Sequence, residues 1–428
     1  MNTQRKLLVL GSDFGTLDLV REAHRMGLYV IVADLMETSP TKQEADEAWL
    51  VSTTNLDLLE AKCRENNVSG VITGASDFNT SCSRHLCKRL GLSVYCPSDK
   101  AWEIGRNKRM FKDLCKECGA PIAKDYILTD KMLESDLDSI RFPVVVKPVD
   151  KSGNRGMSYC QNKEELIAAY KYARSISDNE TIIVEKELHG PEFAAHYLVA
   201  DGHARLLWFG SEHHQPGEKS NLYSLVCTTG AYLKQYLEEV NDQVIKVFEK
   251  AECSDGIVWV ECIRDDDEHF YLFEMGYRFG GTMLYTWFEK VSGINSIRWM
   301  IDCALGNKHR QENLPAGLNA AFTGVSASYH LFSNQEGIVQ RIVGLDEISG
   351  MENVIVDIPK RGGHKVSAYS CIGIIRIYGK DIDDLCHSIR VINSLLRVEN
   401  VNGDNMVVLY DDYSSLRDEY LLGLRQYE

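Results

Sequence analysis

Two glutamates near the middle of the chain carry the strongest chemical signal. Ile257–Arg264 and His269–Met275 read as the arms of a β-hairpin. A four-residue loop over Asp265–Glu268 pairs Arg264 with His269, Glu261 with Leu272 and Glu274 with Trp259. Side chains alternate along strands, so Glu261 and Glu274 fall on one face as diagonal neighbours. Two carboxylates placed among Trp259, Phe270 and Leu272 repel each other, and need a shared proton or a divalent cation. Arg278, four residues past Glu274 and followed by Gly280-Gly281, could hold an anion beside that cation.

Further candidates precede the hairpin. Lys147 ends the apolar run Val144-Val145-Val146, where a lysine needs an anion or a route to water. The following loop contains Ser152, Gly153, Asn154, Arg155 and Gly156. Its glycines can turn backbone N–H groups toward an anion, although the spacing is not that of a Walker P-loop. Glu185, Lys186, Glu187 and Leu188 leave the strand Thr181–Glu187, where a nucleotide base could lie against the edge. Glu192 stands close enough to accept from ribose hydroxyls, though taken alone these are charged residues at a strand end. The helix opened by Asn107 and closed at Gly119 carries Lys108, Arg109, Lys112 and Lys116. Such a basic cluster is equally a solvated helix face.

These residues need elements to hold them. Lys6–Val32 reads strand–turn–helix–strand, and Val68–Thr73 with the helix Phe78–Leu90 continues a parallel, doubly wound pattern. The turn Gly11-Ser12-Asp13-Phe14-Gly15, with Asp34 at the end of the second strand, is a weak dinucleotide signal, because Asp13 replaces a glycine of that fingerprint. Phe142–Val146, Met157–Cys160, a helix through Ser175 and Thr181–Glu187 form an α+β unit of antiparallel type. Asp201-Gly202 joins strands Glu192–Ala200 and Ala204–Gly210 as a hairpin turn. Helix Tyr232–Ala251 follows, and the last ~120 residues read as a mainly β domain with a helix near Asp381–Leu396.

Composition sets the outer limits. The chain has 428 residues, 62 acidic against 47 basic, a formal charge of −15 and 44% hydrophobic residues. That balance argues against disorder and against a nonspecific nucleic-acid binder. No apolar run approaches a membrane span, and Leu7–Leu10 is too short a core for a signal peptide. Thirteen scattered cysteines read as reduced thiols in a cytoplasmic protein, with Cys115 and Cys118 serving helix packing.

Taken in order, the candidate residues resemble the ATP-grasp superfamily. Glu185-Lys186-Glu187-Leu188-His189-Gly190-Pro191-Glu192-Phe193 looks like the corresponding segment of D-alanine–D-alanine ligases. The resemblance implies that Glu185, Lys186 and Leu188 surround adenine, with Glu187 in the same segment, and that Glu192 binds ribose. Lys108 and Lys147 match the lysines that contact ATP phosphates, and residues 152–156 match the glycine-rich lid loop. Glu261 and Glu274 match the magnesium ligands, and Arg278 the arginine that steadies the reacting carboxylate or phosphoryl group. The family usually reads Glu-x-Asn, with the asparagine a further ligand; here Gly276 takes that place. Glu274-Met275-Gly276-Tyr277-Arg278 is similar to segments of bacterial ATP-grasp carboxylate–amine ligases. The polar segment Glu212–Ser220 reads as a loop that faces substrates by family position, which makes His213, His214 and Lys219 candidates.

The resemblance implies a Rossmann-like domain over 1–103, an ATP-grasp domain over 104–310 with its lid at about 123–185, and a biotin-carboxylase-like domain over 311–428. It implies ATP and Mg²⁺, with Mn²⁺ as a substitute, and a small carboxylate and amine joined through an acyl phosphate in a homodimer without nucleic-acid or membrane partners. A bicarbonate-activating carboxylase and a catalytically weak nucleotide-binding regulator are the alternatives; a nicotinamide oxidoreductase rests on the N-terminal turn alone.

Overall fold

A computed structural model of the chain describes residues 4–128, 134–151, 155–214, 223–315, 324–360 and 362–426. The N-terminal part is the expected parallel sheet. Its strands run in the order Glu47–Leu50, Tyr29–Asp34, Lys6–Leu10, Val68–Thr73, each parallel to its neighbour. Helices Thr16–Arg25, Leu56–Asn66 and Asp77–Leu90 accompany it, as parallel crossovers require.

An eight-stranded antiparallel sheet fills the middle of the molecule. Its order is Phe270–Gly276, Gly256–Arg264, Glu192–Ala200, His203–His214, Tyr223–Cys227, Val325–Phe332, Cys371–Gly379, Val354–Asp357. The final third therefore extends this sheet with three strands while keeping an apolar core of its own around Tyr329, Ile375 and Ile389. Asp201 and Gly202 both adopt positive φ (50° and 78°), the geometry of a two-residue hairpin whose twist suits its strands.

Two expectations change. His203–His214 is longer than the expected strand Ala204–Gly210, because Ser211–His214 pair with Tyr223–Cys227. The expected helix Tyr232–Ala251 is two helices, Leu233–Glu239 and Asn241–Lys250. The break at Val240 lets both reach the same buried hydroxyl: Tyr197 Oη lies 2.7 Å from Tyr236 Oη and 3.0 Å from Asn241 Oδ1.

A smaller antiparallel sheet stands apart, ordered Asp125–Tyr126, Ile182–Lys186, Val144–Pro148, Ser158–Cys160. Helix Lys163–Ile176 covers it, and the two share a separate core that includes Val144, Val146, Leu166 and Val184. That helix starts with a reciprocal cap: Glu165 N donates to Asn162 Oδ1 (3.0 Å) and Gln161 N to Glu165 Oε2 (2.7 Å). The thirteen cysteines are free thiols. No helix among the described residues is long and apolar enough to cross a membrane.

One buried ion pair ties the first helix to the last third. Arg376 reaches Asp18 through Nη1–Oδ2 (2.6 Å) and Nη2–Oδ1 (3.2 Å), and its Nη1 also donates to Thr286 Oγ1 (3.3 Å). Arg376→Met strands the Asp18 carboxylate in the interior, and the expected loss is about 3–5 kcal/mol. Urea unfolding checks this, and an unchanged midpoint would show that the pair contributes nothing.

Candidate functional site

The hairpin brings its glutamates closer than the sequence suggests. The loop spans five residues, so Arg264 pairs with Phe270 and Cys262 with Leu272. Phe273 is then an extra residue, a β-bulge that resets the register and sets Glu261 directly opposite Glu274. The expected diagonal arrangement, with Glu261 facing Leu272, is corrected: without the bulge, a five-residue loop would turn one glutamate to the other face.

Following the pairing across the sheet adds two more carboxylates. Glu261 lies opposite Ala194, and Glu192 lies opposite Glu212. Since Glu192 and Ala194 share a face, Glu212, Glu192, Glu261 and Glu274 all project from the same side. The next row on this face is Trp208, His196 and Trp259, with Phe288 packed on Trp208 and His196. The carboxylates thus stand at the border of an aromatic floor. Burial pushes the Glu212 carboxyl well above the usual range, and Glu261, Glu192 and Glu274 add to the shift. Glu261 is raised for the same reasons, burial first and then Glu274. Glu212 is 5% exposed and its Oε1 has no hydrogen-bond partner among the described residues.

Glu212 was missed as a site residue because the polar stretch beside it reads as loop. Strand alternation separates its two neighbours. His214 shares its face, with Nε2 3.7 Å from Glu192 Oε1. His213 points to the opposite side, where Nε2 is 2.9 Å from Ser211 Oγ and 3.6 Å from Glu419 Oε2. Lys219, like Ser152, Gly153 and Asn154, lies outside the described residues.

Cations border the carboxylates. Asn107 caps its helix through Oδ1, accepting from Arg109 N (3.0 Å) and Met110 N (3.2 Å). This sets Lys108 at the helix start, with Nζ 3.1 Å from Glu274 Oε1 and 3.1 Å from the Lys151 carbonyl. Arg278 lies over the Trp259 ring, 5.2 Å from its centroid, and binds Asp77 bidentately, with Nη2–Oδ2 at 2.9 Å. Asp77 begins a helix of the N-terminal part and carries no sequence signal that foretold this contact.

Lys147 sits in a buried network. Its Nζ is 2.5 Å from Glu185 Oε1, and Lys112 binds Glu185 Oε2. The Glu185 side chain is therefore engaged by two lysines. Lys186 reaches Asp265 (2.5 Å), whose other oxygen accepts from His189 N (2.8 Å). This fastens the segment after the small sheet to the hairpin loop. Glu187 and Leu188 are half-buried along that segment. Gly156 adopts φ +81° and packs against Pro148 and Ile176, and Arg155 precedes it.

The glycine that departs from the family pattern has a physical reason. Gly276 lies directly opposite Trp259, and a Cβ there would approach the indole carbon Cζ2 to 2.2 Å. The indole occupies the space an asparagine would need.

The donor set fits a hard divalent cation. Among the described residues no three His, Cys, Asp or Glu side chains form a metal cage. Mg²⁺ is ordinarily held by one or two carboxylates, waters and substrate phosphates. Glu261 and Glu274, facing each other across the hairpin beside Lys108, supply two such carboxylates. A cleft of about 530 Å³ lined by Asp201, Arg205, Arg310 and Glu312 lies at the far end of these strands, away from the carboxylates.

Residues 140–286 match the sequence model of the ATP-grasp domain. The chain therefore contains an ATP-grasp domain over this stretch. It is 31% identical, over 171 residues, to a formate-dependent phosphoribosylglycinamide formyltransferase of Prochlorococcus marinus, covering 40% of this chain and 43% of that one. The chain thus spans under half the length of that relative. The fold is shared with an L-amino acid ligase from Bacillus licheniformis (TM-score 0.74, 18% identity, 96% and 100% of the chains). It is also shared with biotin carboxylase from Campylobacter jejuni (TM-score 0.76, 18% identity, 99% and 95%).

Two outcomes follow from the crowding. Gly276→Ala forces the Trp259 indole to move, and differential scanning calorimetry should show a loss of about 1–3 kcal/mol. Glu212 ionises at a higher pH in the folded chain than in the unfolded one, so folding loses stability as pH rises above the ordinary carboxylate value. The melting-temperature gain of Glu212→Gln over wild type should therefore appear above about pH 4.5 and grow with pH until the folded group ionises. A gain independent of pH would contradict the raised pKa.

Proposed function

We propose that the chain is an ATP-dependent ligase that joins a carboxylate to an amine through an acyl phosphate, releasing ADP and phosphate. The observation that carries this reading is the direct pairing of Glu261 with Glu274 on one sheet face, with Lys108 at 3.1 Å from Glu274. In this reading Glu261 and Glu274 hold Mg²⁺, or Mn²⁺ in its place. The ion, when bound, supplies charge neutralisation at the triphosphate.

The chain's own groups do the rest. Lys108 and Lys147 bind phosphate oxygens. Adenine lies along Glu185–Leu188, against the main chain and the Leu188 side chain, because the Glu185 carboxylate is occupied by lysines. Glu192 takes the ribose, and His214 beside it lines the substrate side.

Arg278 orients the reacting carboxylate, for which its bidentate grip on Asp77 is the geometric precedent. A carboxylate oxygen attacks the γ-phosphorus and the bond to ADP breaks. The amine nitrogen then attacks the acyl carbon, phosphate departs with that oxygen, and the amine proton passes to solvent. No protein nucleophile is needed; positioning, preorganised positive charge and exclusion of water account for the acceleration. The small sheet with its separate core is suited to be the cover. We assign the domains at 1–103, 104–310 and 311–428, and a homodimer as the assembly.

The relative's printed name makes formate a carboxylate worth testing, and the ligase neighbour does the same for amino acids. ADP and phosphate release measured over a panel of small acids and amines, with mass detection of products, should find pairs in which turnover needs both partners. Release with bicarbonate alone would instead favour a carboxylase. Nucleotide binding with no turnover across the panel would favour a regulator. Glu274→Ala should lower turnover at least about 100-fold while leaving the melting temperature near wild type; unchanged turnover would overturn the metal assignment.

A further inference from the structure

Lys112 has no place in the mechanism so far, yet it is the most deeply buried lysine of the site, 0% exposed. It sits one turn after Lys108 on the same helix. Its ammonium binds Glu185 Oε2, donates to the Ala123 carbonyl (3.2 Å) and lies 2.9 Å from Asp125 Oδ1. Asp125 is also held by Arg109 (2.7 Å) and Lys116 (2.9 Å). Glu185, 5% exposed, is shared between Lys112 on one oxygen and Lys147 on the other.

Counting Asp113, which Arg109 also reaches at 3.6 Å, three carboxylates face four cations. Arg109 and Lys116 serve Asp113 and Asp125, and Lys112 serves Glu185. Lys147 is left as the cation in excess, the one free to serve another anion. A buried carboxylate that loses its sole partner is a costly defect. If Lys147 were the only cation on Glu185, its departure would leave that defect behind. With Lys112 in place it does not. Burial alone would raise the Glu185 carboxyl, and the two lysines together hold it below the usual range, so it stays charged.

We propose that Lys112 is a positioning residue that retains Glu185 and so releases Lys147 to bind nucleotide phosphate. The inference rests on the reading of Lys147 as a phosphate ligand. It adds that phosphate affinity is set by a residue that itself touches no nucleotide. In Lys112→Met, Glu185 has only Lys147, and the lysine stays with it. In Lys112→Met/Glu185→Gln the competing carboxylate is gone, and Lys147 is free again.

The test compares Mg·ATP with adenosine, which has no phosphate, by isothermal titration calorimetry on the full chain. Lys112→Met should bind ATP at least about tenfold more weakly while its adenosine affinity stays within about twofold. The double variant should recover most of the ATP affinity. Lys147→Met should show the same selective loss, with no further loss of selectivity when Lys112→Met is added. Equal weakening of ATP and adenosine would mark Lys112 as merely structural and overturn the proposal. So would unchanged ATP binding, or a double variant no better than Lys112→Met. A wild-type chain that binds adenosine and ATP equally well overturns the phosphate role of Lys147 itself, a distinct failure visible before any variant is made.

Discussion

Like charges gathered on one sheet face are the constraint around which the rest of the molecule is arranged. Two unit charges ~5.5 Å apart at an effective dielectric of ~20 repel by about 3 kcal/mol. Glu212, Glu192, Glu261 and Glu274 share a face of three neighbouring strands and a hairpin arm. A fold pays that only if something relieves it. Protonation is one relief, visible in the raised carboxyls of Glu212 and Glu261. Nearby cations are another, and Lys108 and Arg278 both lower Glu261. Neither is complete, and the remaining negative potential is what a divalent cation with its phosphates would use.

The same constraint explains why local sequence reading reached part of the site. Glu261 and Glu274 stand out because carboxylates among Trp259, Phe270 and Leu272 favour a paired site over a solvent-exposed face. Their register was out of reach, since the longer loop and the Phe273 bulge each shift it by one residue in the same direction, which keeps the shared face but brings Glu274 opposite Glu261. Glu212 was hidden for a different reason. It continues a strand only because Tyr223–Cys227 returns beside it, a non-local pairing masked by the polar residues that follow. Lys112 did leave a trace: Phe111, Leu114 and Cys115 are the buried positions of its helix, and Lys112 falls within that stripe rather than on the solvated face. The parallel N-terminal sheet was the most legible element, because apolar runs, glycine turns and helical periodicity agree there. The continuation of the central sheet into the last third was the least legible, since nothing within Val325–Phe332 names the partner strand.

Gly276 shows how a departure from a family pattern can be structural in origin. The Trp259 indole that excludes a side chain at Gly276 also supports the Arg278 guanidinium. One aromatic ring therefore removes a third protein oxygen from the carboxylate pair and fixes a cation in its neighbourhood. With fewer protein ligands, more of an ion's coordination falls to water and phosphate oxygens, the arrangement Mg²⁺ favours.

Of the arginine–carboxylate pairs that join the N-terminal part to the rest of the chain, two differ sharply in character. Asp18 and Arg376 are closed off from water, with side chains 9% and 2% exposed. Breaking that pair strands a charge, so it acts as a permanent joint. Asp77 and Arg278 have the same bidentate form but are 39% and 12% exposed. Water can replace either partner there, and an incoming carboxylate could replace Asp77 without leaving an orphaned charge in the interior. Geometry is shared by the two pairs, and burial separates them: the first holds the parts together, and the second keeps a guanidinium over the Trp259 ring and turned toward the half-exposed Asp77 carboxylate.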